Sequence, residues 1–575
     1  MPDASGSRAD GLLSFDLTRR PWIPVLFGDG RTDELSLNEV FAQTAHVRRL
    51  VGDVPTQEFA LLRLLLAIVH DVLDGPEDID RWSQLWEDDD CFAPVAAYLE
   101  EHRERFDLLH PAAPFFQTAG LRTAKDEVFP LNRIVADVPN GEPFFTARMP
   151  AVDRLTFAEA ARWVVHTHAY DTSGIKTGAV GDERARSGKV YPLGVGWAGA
   201  LGGVFVEGET LRETLLLNLV AADTAGLRVD GEDRPAWRRE PCTAAAAAGR
   251  RPSGVRDLYT WQTRRVRLHF DEAGVHGVVL GYGDPLPAHN LHTREPMTAW
   301  RRSRAQEKKR GEALVYLPRE HDPSRAVWRG LASLIAEGQV AGQGGEAASS
   351  LRPGVLEWVA RLVTEGELPR GFLIRTRVVG AVYGTQQSVI DEIVDDHLAM
   401  AVVLLHRQDR GCALQAIDAV GDAERAVTAV GDLATDLARA AGAQTEGARA
   451  RARERGFDVL DDPYRIWLRT LAEAADPDEQ RTLWRRQVHR LIGRLGDRLL
   501  AEAADAAWEG RIVSTPKGAV WFNSAHAEKW FRYRLGDALG VAGFSGAGTD
   551  GKQAPAGLAD DAEADAGLSV ERAYS

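Results

Sequence analysis

The spacing of apolar positions changes several times along this chain, and each change marks an element. Trp22-Ile23-Pro24-Val25 reads as a short strand, Gly28–Gly30 as a hairpin turn and Ser36 as the N-cap of a following helix. Pro55-Thr56 opens QEFALLRLLLAIVHDVL, a helix whose Leu61, Leu64, Leu65 and Ile68 belong in a core. Thr156–His168 has amphipathic helical spacing, and LRETLLLNLV from Leu211 is a second apolar-periodic run. Residues 255–285 and 312–317 read as strands. From Gln386 the spacing turns helical through Ile390, Ile393, Val394, Ala401 and Leu405, and further helices are expected near 412–442, 463–475 and 477–508. The pattern predicts an α+β protein: a flexible N-terminus (1–13), a mixed α+β domain (14–380), a four-helix-type bundle (381–540) and a disordered acidic tail (541–575).

The densest departure from periodicity is Tyr170–Gly208, where glycine recurs at 174, 178, 181, 188, 194, 196, 199, 202, 203 and 208. Glycine loses the most backbone freedom on folding, so such density marks sharp turns or close approach to a ligand; a long surface loop is the competing account. Lys176-Thr177 invites a phosphate-binding P-loop, but the required glycines are replaced by Ile175 and Tyr170. Gly194-Val195-Gly196 continues as Trp-Ala-Gly-Ala, so no dinucleotide fingerprint is present either. What remains is backbone N–H groups with Ser173, Gly174, Lys176 and Gly178, a set suited to a phosphate chain or a groove edge.

At 575 residues the chain exceeds one ordinary core and should hold at least two domains. No run approaches the roughly 18 apolar residues of a membrane helix, and the polar start MPDASGSRADG lacks a secretory h-region. Cys91, Cys242 and Cys412 are too few and too scattered for a disulfide framework or a C-x-x-C zinc site, which fits a reducing cytoplasm. A net charge of −15 argues against coating nucleic acid unaided. Yet residues 237–267 carry eight arginines against two acids, and 294–310 carry seven Lys/Arg against two. Such local basic stripes suit contact with nucleic acid at defined places; solvated arginine faces are the alternative.

Other residues carry weaker signals. His110, in the aromatic and proline-rich turn 106–118, has no partner acid or nucleophile nearby and reads as a turn cap rather than a base. Phe144 and Phe145, in the loop 131–150, are either packed anchors or stacking platforms. Asp395-Asp396 could hold Mg²⁺ but reads as a solvated helix face. Arg481, Arg485, Arg494 and Arg498 form a basic helix face open to a phosphate backbone or an acidic neighbour.

Several segments in the same order resemble the CasA family, the large subunits of the type I-E CRISPR surveillance complex Cascade. They are Trp22–Val25, Phe106–His110 with Pro114–Thr118, Gly202–Val204 through Leu211–Asn218, Asp257–Gln262, Glu295–Arg302 and Tyr383–Ser388. The resemblance spans roughly residues 14–540. It implies a non-enzymatic, cytoplasmic antiviral subunit without cofactor or metal. Such a subunit recognises the protospacer-adjacent motif in double-stranded DNA, helps open the duplex for R-loop formation and recruits the helicase-nuclease. Its partners would be guide RNA, the other Cascade subunits and target DNA, with no membrane.

By resemblance, the motif-reading glycine loop falls on Ser173–Gly178 and the strand-separating wedge on Thr385, Gln386 and Gln387, with Gln386 at its tip. Arg301 and Arg302, with Lys308, Lys309 and Arg310, match residues that hold the displaced strand. Phe144 and Phe145 match an anchor to the RNA 5′ handle and neighbouring subunits. The family's lysine finger has no counterpart, since no lysine lies between Lys189 and Lys308; His289, Asn290 or His292 could substitute. A metal-dependent nuclease or other nucleic-acid-processing enzyme is the competing function, but no H-E-x-x-H motif or Cys/His metal spacing supports it.

Overall fold

The computed structural model describes residues 7–9, 12–136, 152–224, 226–247, 249–335, 347–405, 410–471, 476–515 and 518–540. Phe144 and Phe145, most of the N-terminal segment, and the tail from 541 lie outside these residues. The chain divides into two compact units between Ala413 and Leu414.

The first unit begins with the expected hairpin. Strand β1 (Ile23–Phe27) pairs antiparallel with β2 (Thr32–Leu35), and its burial alternates as a half-buried strand should. Helix α1 (Leu37–Ala42) starts at Ser36 in a capping box with Glu39, and β3 (Val47–Leu50) completes a sheet of order β2-β1-β3. Helix α2 (Pro55–Val72) starts on Pro55 and is buried on nearly every face, which explains its almost unbroken apolar sequence. Inside it, the fully buried Arg63 pairs with Glu295 at 2.5 Å and stacks on Tyr259 and Trp197. Helix α3 (Phe157–Tyr170) is capped by Thr156 and Glu159. Its last turn is overlaid so closely by Gly196 that a Cβ there would overlap the Ala169 backbone.

Beyond α3 the glycine-rich stretch forms a two-residue ladder, β4 (Lys176–Thr177) with β5 (Lys189–Val190), and then β6 (Gly203–Glu207) and α4 (Leu211–Leu217). The region expected to be all strand opens with a helical turn at Val255–Tyr259, then forms the hairpin β7 (Arg264–Asp271) and β8 (Gly274–Tyr282). Strand β9 (Trp300–Arg302) leads into helix α5 (Arg304–Arg310) and lies between β10 (Tyr316–Pro318) and β11 (Ser350–Leu351).

The main departure from the sequence pattern follows. Strand β12 (Leu373–Tyr383) runs antiparallel to β13 (Ile390–Ala401) along its length, in a sheet of order β13-β12-β6. Residues 390–401 are therefore strand, not the first helix of a bundle. Spacings of three and four are shared by helices and irregularly buried strands, and pairing with β12 decides between them. The Asp395-Asp396 pair moves with this correction: Asp395 accepts two hydrogen bonds from Arg377, and Asp396 caps the Val327 N–H at 2.7 Å.

The second unit is helical. Helices α6 (Arg410–Ala441), α7 (Glu446–Thr470) and α8 (Pro477–Ala501) precede the exposed hairpin β14 (Arg511–Thr515) and β15 (Gly518–Phe522) and helix α9 (Ser524–Leu539). Helix α7 begins 17 residues before the expected 463, because its first half is arginine-rich and only weakly apolar, and Pro463 lies inside it. Tyr464, Trp467 and Trp484 form the aromatic core, with the Trp484 indole donating to the Ala419 carbonyl. The basic face expected on α8 is answered at its start by acids: Arg481 and Arg485 both donate to the fully buried Asp422.

Candidate nucleic-acid interface

The glycine loop leaves α3 at Asp171, whose buried carboxylate binds Lys176 Nζ at 2.8 Å and also Arg264. Burial alone would raise the Asp171 carboxyl, but Lys176 and Arg264 outweigh it and hold it below the usual carboxylate range. The Lys176 ammonium is lowered, chiefly by burial, with Asp171 opposing. Lys176 therefore faces inward as half of an ion pair, and the structure does not offer it to a phosphate. Arg264 completes the clamp: its guanidinium donates to the carbonyls of Asp171, Thr172 and Gly194 at 3.0–3.1 Å. One buried arginine thus fixes both strands of the loop.

Ser173 is buried at the centre of this arrangement. Its N–H donates to the Gln387 carbonyl at 2.7 Å, and its hydroxyl accepts the Gly194 N–H at 3.1 Å. The Gly174 carbonyl accepts the Tyr282 hydroxyl at 2.7 Å, while a Cβ at Gly174 would meet nothing within 4 Å. Gly178 differs: a Cβ there would lie 2.8 Å from Ala185 Cβ and 3.0 Å from the Gly188 backbone. Gly174 is thus the open position of the loop and Gly178 a packing position.

The Gln turn is the tip of the β12–β13 hairpin, not a lead-in to a helix. Gly384 N–H donates to the Val389 carbonyl at 3.0 Å and Gln387 N–H to the Gly384 carbonyl at 2.8 Å. Thr385 and Gln386 are exposed, and Gln386 (φ 57°) and Gln387 (φ 55°) both sit in the left-handed region. Such conformations cost a non-glycine residue about 1–3 kcal/mol each and persist only where the surroundings impose them. Here the Tyr383 hydroxyl bonds the Tyr170 carbonyl at 2.8 Å on one side, and Ser173 holds Gln387 on the other. Glycine loop and Gln turn, about 210 residues apart in sequence, form one connected edge.

The basic stretch is split. Arg302 is paired with Glu307 at 2.6 Å, whereas Arg301, Lys308, Lys309 and Arg310 are exposed. The last three occupy the final turn of α5, which Gly311 closes in the left-handed region. The finger substitutes serve structural contacts. Asn290 accepts the Tyr316 N–H at 2.8 Å and donates to the Leu314 carbonyl. His292 packs against Trp300 and Tyr316, and burial pushes its pKa down to about 4. His289 is buried beside Arg251 and Arg310.

Six of the eight arginines in 237–267 are answered by acids instead of lining an open basic stripe. Arg238 and Arg256 pair with Asp71, Arg239 and Arg250 with Asp257, and Arg264 and Arg265 with Asp171 and Asp284. Apart from Asp257, the partners lie outside this stretch, so its composition could not reveal them. His110 caps its turn as expected, accepting the Ala112 and Ala113 N–H groups. Among the described residues no cluster of His, Cys, Asp and Glu could hold a metal ion, and no helix is long and apolar enough to cross a membrane.

Residues 16–495 match the family model for CRISPR-associated protein Cse1. A CRISPR-associated protein CasA/Cse1 of Thermus thermophilus is 31% identical over 353 residues, covering 59% of this chain and 63% of the relative's length. The crystal structure of Thermobifida fusca Cse1 is 60% identical with a TM-score of 0.85, covering 92% of this chain and 98% of that one. The crystal structure of Cse1 from Acidimicrobium ferrooxidans is 33% identical with a TM-score of 0.78, covering 92% and 99%.

Proposed function

The chain belongs to the Cse1 (CasA) family, the large non-catalytic subunit of type I-E Cascade, and on that premise we propose that it recognises the protospacer-adjacent motif and starts duplex opening. Its partners in that role are guide RNA, the other Cascade subunits, double-stranded target DNA and a helicase-nuclease recruited after the R-loop forms. The observation that carries the proposal is the Ser173–Gln387 hydrogen bond, which joins an open glycine position to an exposed glutamine on one connected edge. The minor groove reports mainly A·T against G·C, so the backbone at Gly174 can sense it by close approach with few side chains. A glutamine held at the adjacent step can meet unpaired base edges while its stem excludes the partner base. Strand exchange is nearly balanced energetically, so a few such contacts tip it. Arg301, Lys308, Lys309 and Arg310 supply exposed positive charge for the displaced strand.

The test uses the complex assembled with guide RNA and partner subunits. Wild type should bind duplex carrying the motif in preference to duplex lacking it, and Gly174→Asp should abolish that preference without loss of assembly. Motif-independent binding by the wild-type complex would end the proposal.

A further inference from the structure

The β4–β5 ladder has two faces, and only the inner one braces the reading edge. Lys176 pairs opposite Val190 and Thr177 opposite Lys189, so alternation puts Lys176 and Val190 on the inner face. Their burial agrees, at 9% and 2% exposure. The outer face carries Thr177 and Lys189 and, one step beyond the ladder, Ile175 and Tyr191. Ile175 is 57% exposed and Tyr191 69%, large values for apolar side chains in an otherwise ordered loop.

Cations flank the pair. Lys189 is exposed, and Arg133 reaches the same face by donating to the Thr177 hydroxyl at 2.8 Å. The exposed charges nearer the hairpin tip, Glu183 and Arg186, offset each other, and Arg133, stacked on Phe129, has Glu127 and Asp171 as counter-charges, so the exposed Lys189 is the cation this face offers to a phosphate. The Tyr191 strand is also tied to the proposed reading edge, since Gly194 and Gln387 both hydrogen-bond Ser173.

We propose that the outer face of the β4–β5 hairpin is a further contact surface for the target duplex, with Tyr191 and Ile175 packing on deoxyribose and Lys189 neutralising a phosphate. This rests on the duplex-recognition role proposed above and adds a grip that carries no base information. Small apolar area beside isolated cations suits a sugar–phosphate strand; a stable protein contact would bury a broader apolar patch.

The experiment uses the assembled complex, with Lys189→Ala, Tyr191→Ala and Tyr191→Phe measured on motif-bearing and motif-free duplex between about 50 and 200 mM salt. Lys189→Ala should reduce the log–log salt slope by about 0.9, so wild type loses about 3.5-fold more affinity than the variant over that range. Tyr191→Ala should weaken both duplexes alike, by about five- to tenfold for removal of an aromatic face, and Tyr191→Phe should bind as wild type. If both alanine variants match wild type while Gly174→Asp still abolishes motif preference, this surface does not touch DNA and the proposed function stands. If they impair assembly with the other subunits but bind duplex normally once assembled, the face is a protein contact and the inference fails. If wild type shows no motif preference, the proposed function fails, and an unchanged salt slope and affinity of the alanine variants on motif-free duplex would then overturn this surface separately.

Discussion

Replacing Gln386 by glycine separates what this residue costs the fold from what it does to DNA. Its φ of 57° and its exposure mean that little packing is lost on truncation. The left-handed conformation penalises an L-residue by about 1–2 kcal/mol, which glycine removes. Glycine in turn adds roughly 0.5–1 kcal/mol of unfolded-state entropy. The two nearly cancel, so Gln386→Gly should leave the unfolding midpoint unchanged or slightly raised. Gln386→Ala keeps the strain and should also be close to neutral. Duplex opening should respond differently. One unstacked step is worth about 1.4 kcal/mol, which makes the loss about tenfold in opening rate on fully paired linear DNA. Both variants should show it, because both lack the side chain. Permanganate or fluorescent-base probing of the first pairs beside the motif, in the assembled complex, reads that rate. On negatively supercoiled plasmid, or on targets already mismatched at that step, the defect should shrink. Opening of paired linear duplex at the wild-type rate by either variant would refute the wedge, leaving the strained turn as a hairpin connection alone.

Gly174→Ala should preserve stability while reducing motif preference, whereas Gly178→Ala should lower the unfolding midpoint, since its Cβ would meet Ala185 at 2.8 Å; equal midpoints would contradict the packing. Asp171→Asn leaves Lys176 and Arg264 without their buried counter-charge and should cost about 3 kcal/mol in urea unfolding at neutral pH. Because the folded Asp171 pKa lies below its ordinary 3.8, its contribution is present above that value and is lost only as pH falls through the lower folded value. Burial holds His166 and His168 at about 3 and about 4 when folded, so the unfolded chain binds more protons below 6.5. Stability should therefore fall as pH drops from about 6.5 towards 4, and identical urea midpoints at about pH 7.5 and 5 would contradict this. Arg301→Ala with Lys308→Ala should reduce the salt slope of duplex binding by about 0.7–0.9 for each phosphate no longer neutralised, while Arg302→Ala, which breaks the Glu307 pair, should leave it unchanged.

Features whose causes lie within a few residues were legible in the chain before it folded. Ser36 with Glu39 and Thr156 with Glu159 start their helices through contacts three positions apart, and Pro55 starts its own through a φ already fixed near the helical value, each where the pattern puts it. The mixed α+β character, the C-terminal helices and the family segments were legible for the same reason. The strand with which Ile390–Ala401 pairs was not legible, because a ladder is chosen by its partner rather than by local spacing. Nor was it legible which cations are neutralised internally: Lys176 and Arg264 meet on Asp171, while Arg301, Lys308 and Lys309 remain exposed. The joining of Ser173 to Gln387, and the left-handed turn that lifts Gln386 into solvent, depend on a contact across about 210 residues. No local pattern encodes such a contact, since loop closure over that distance is favourable only when the whole sheet has formed.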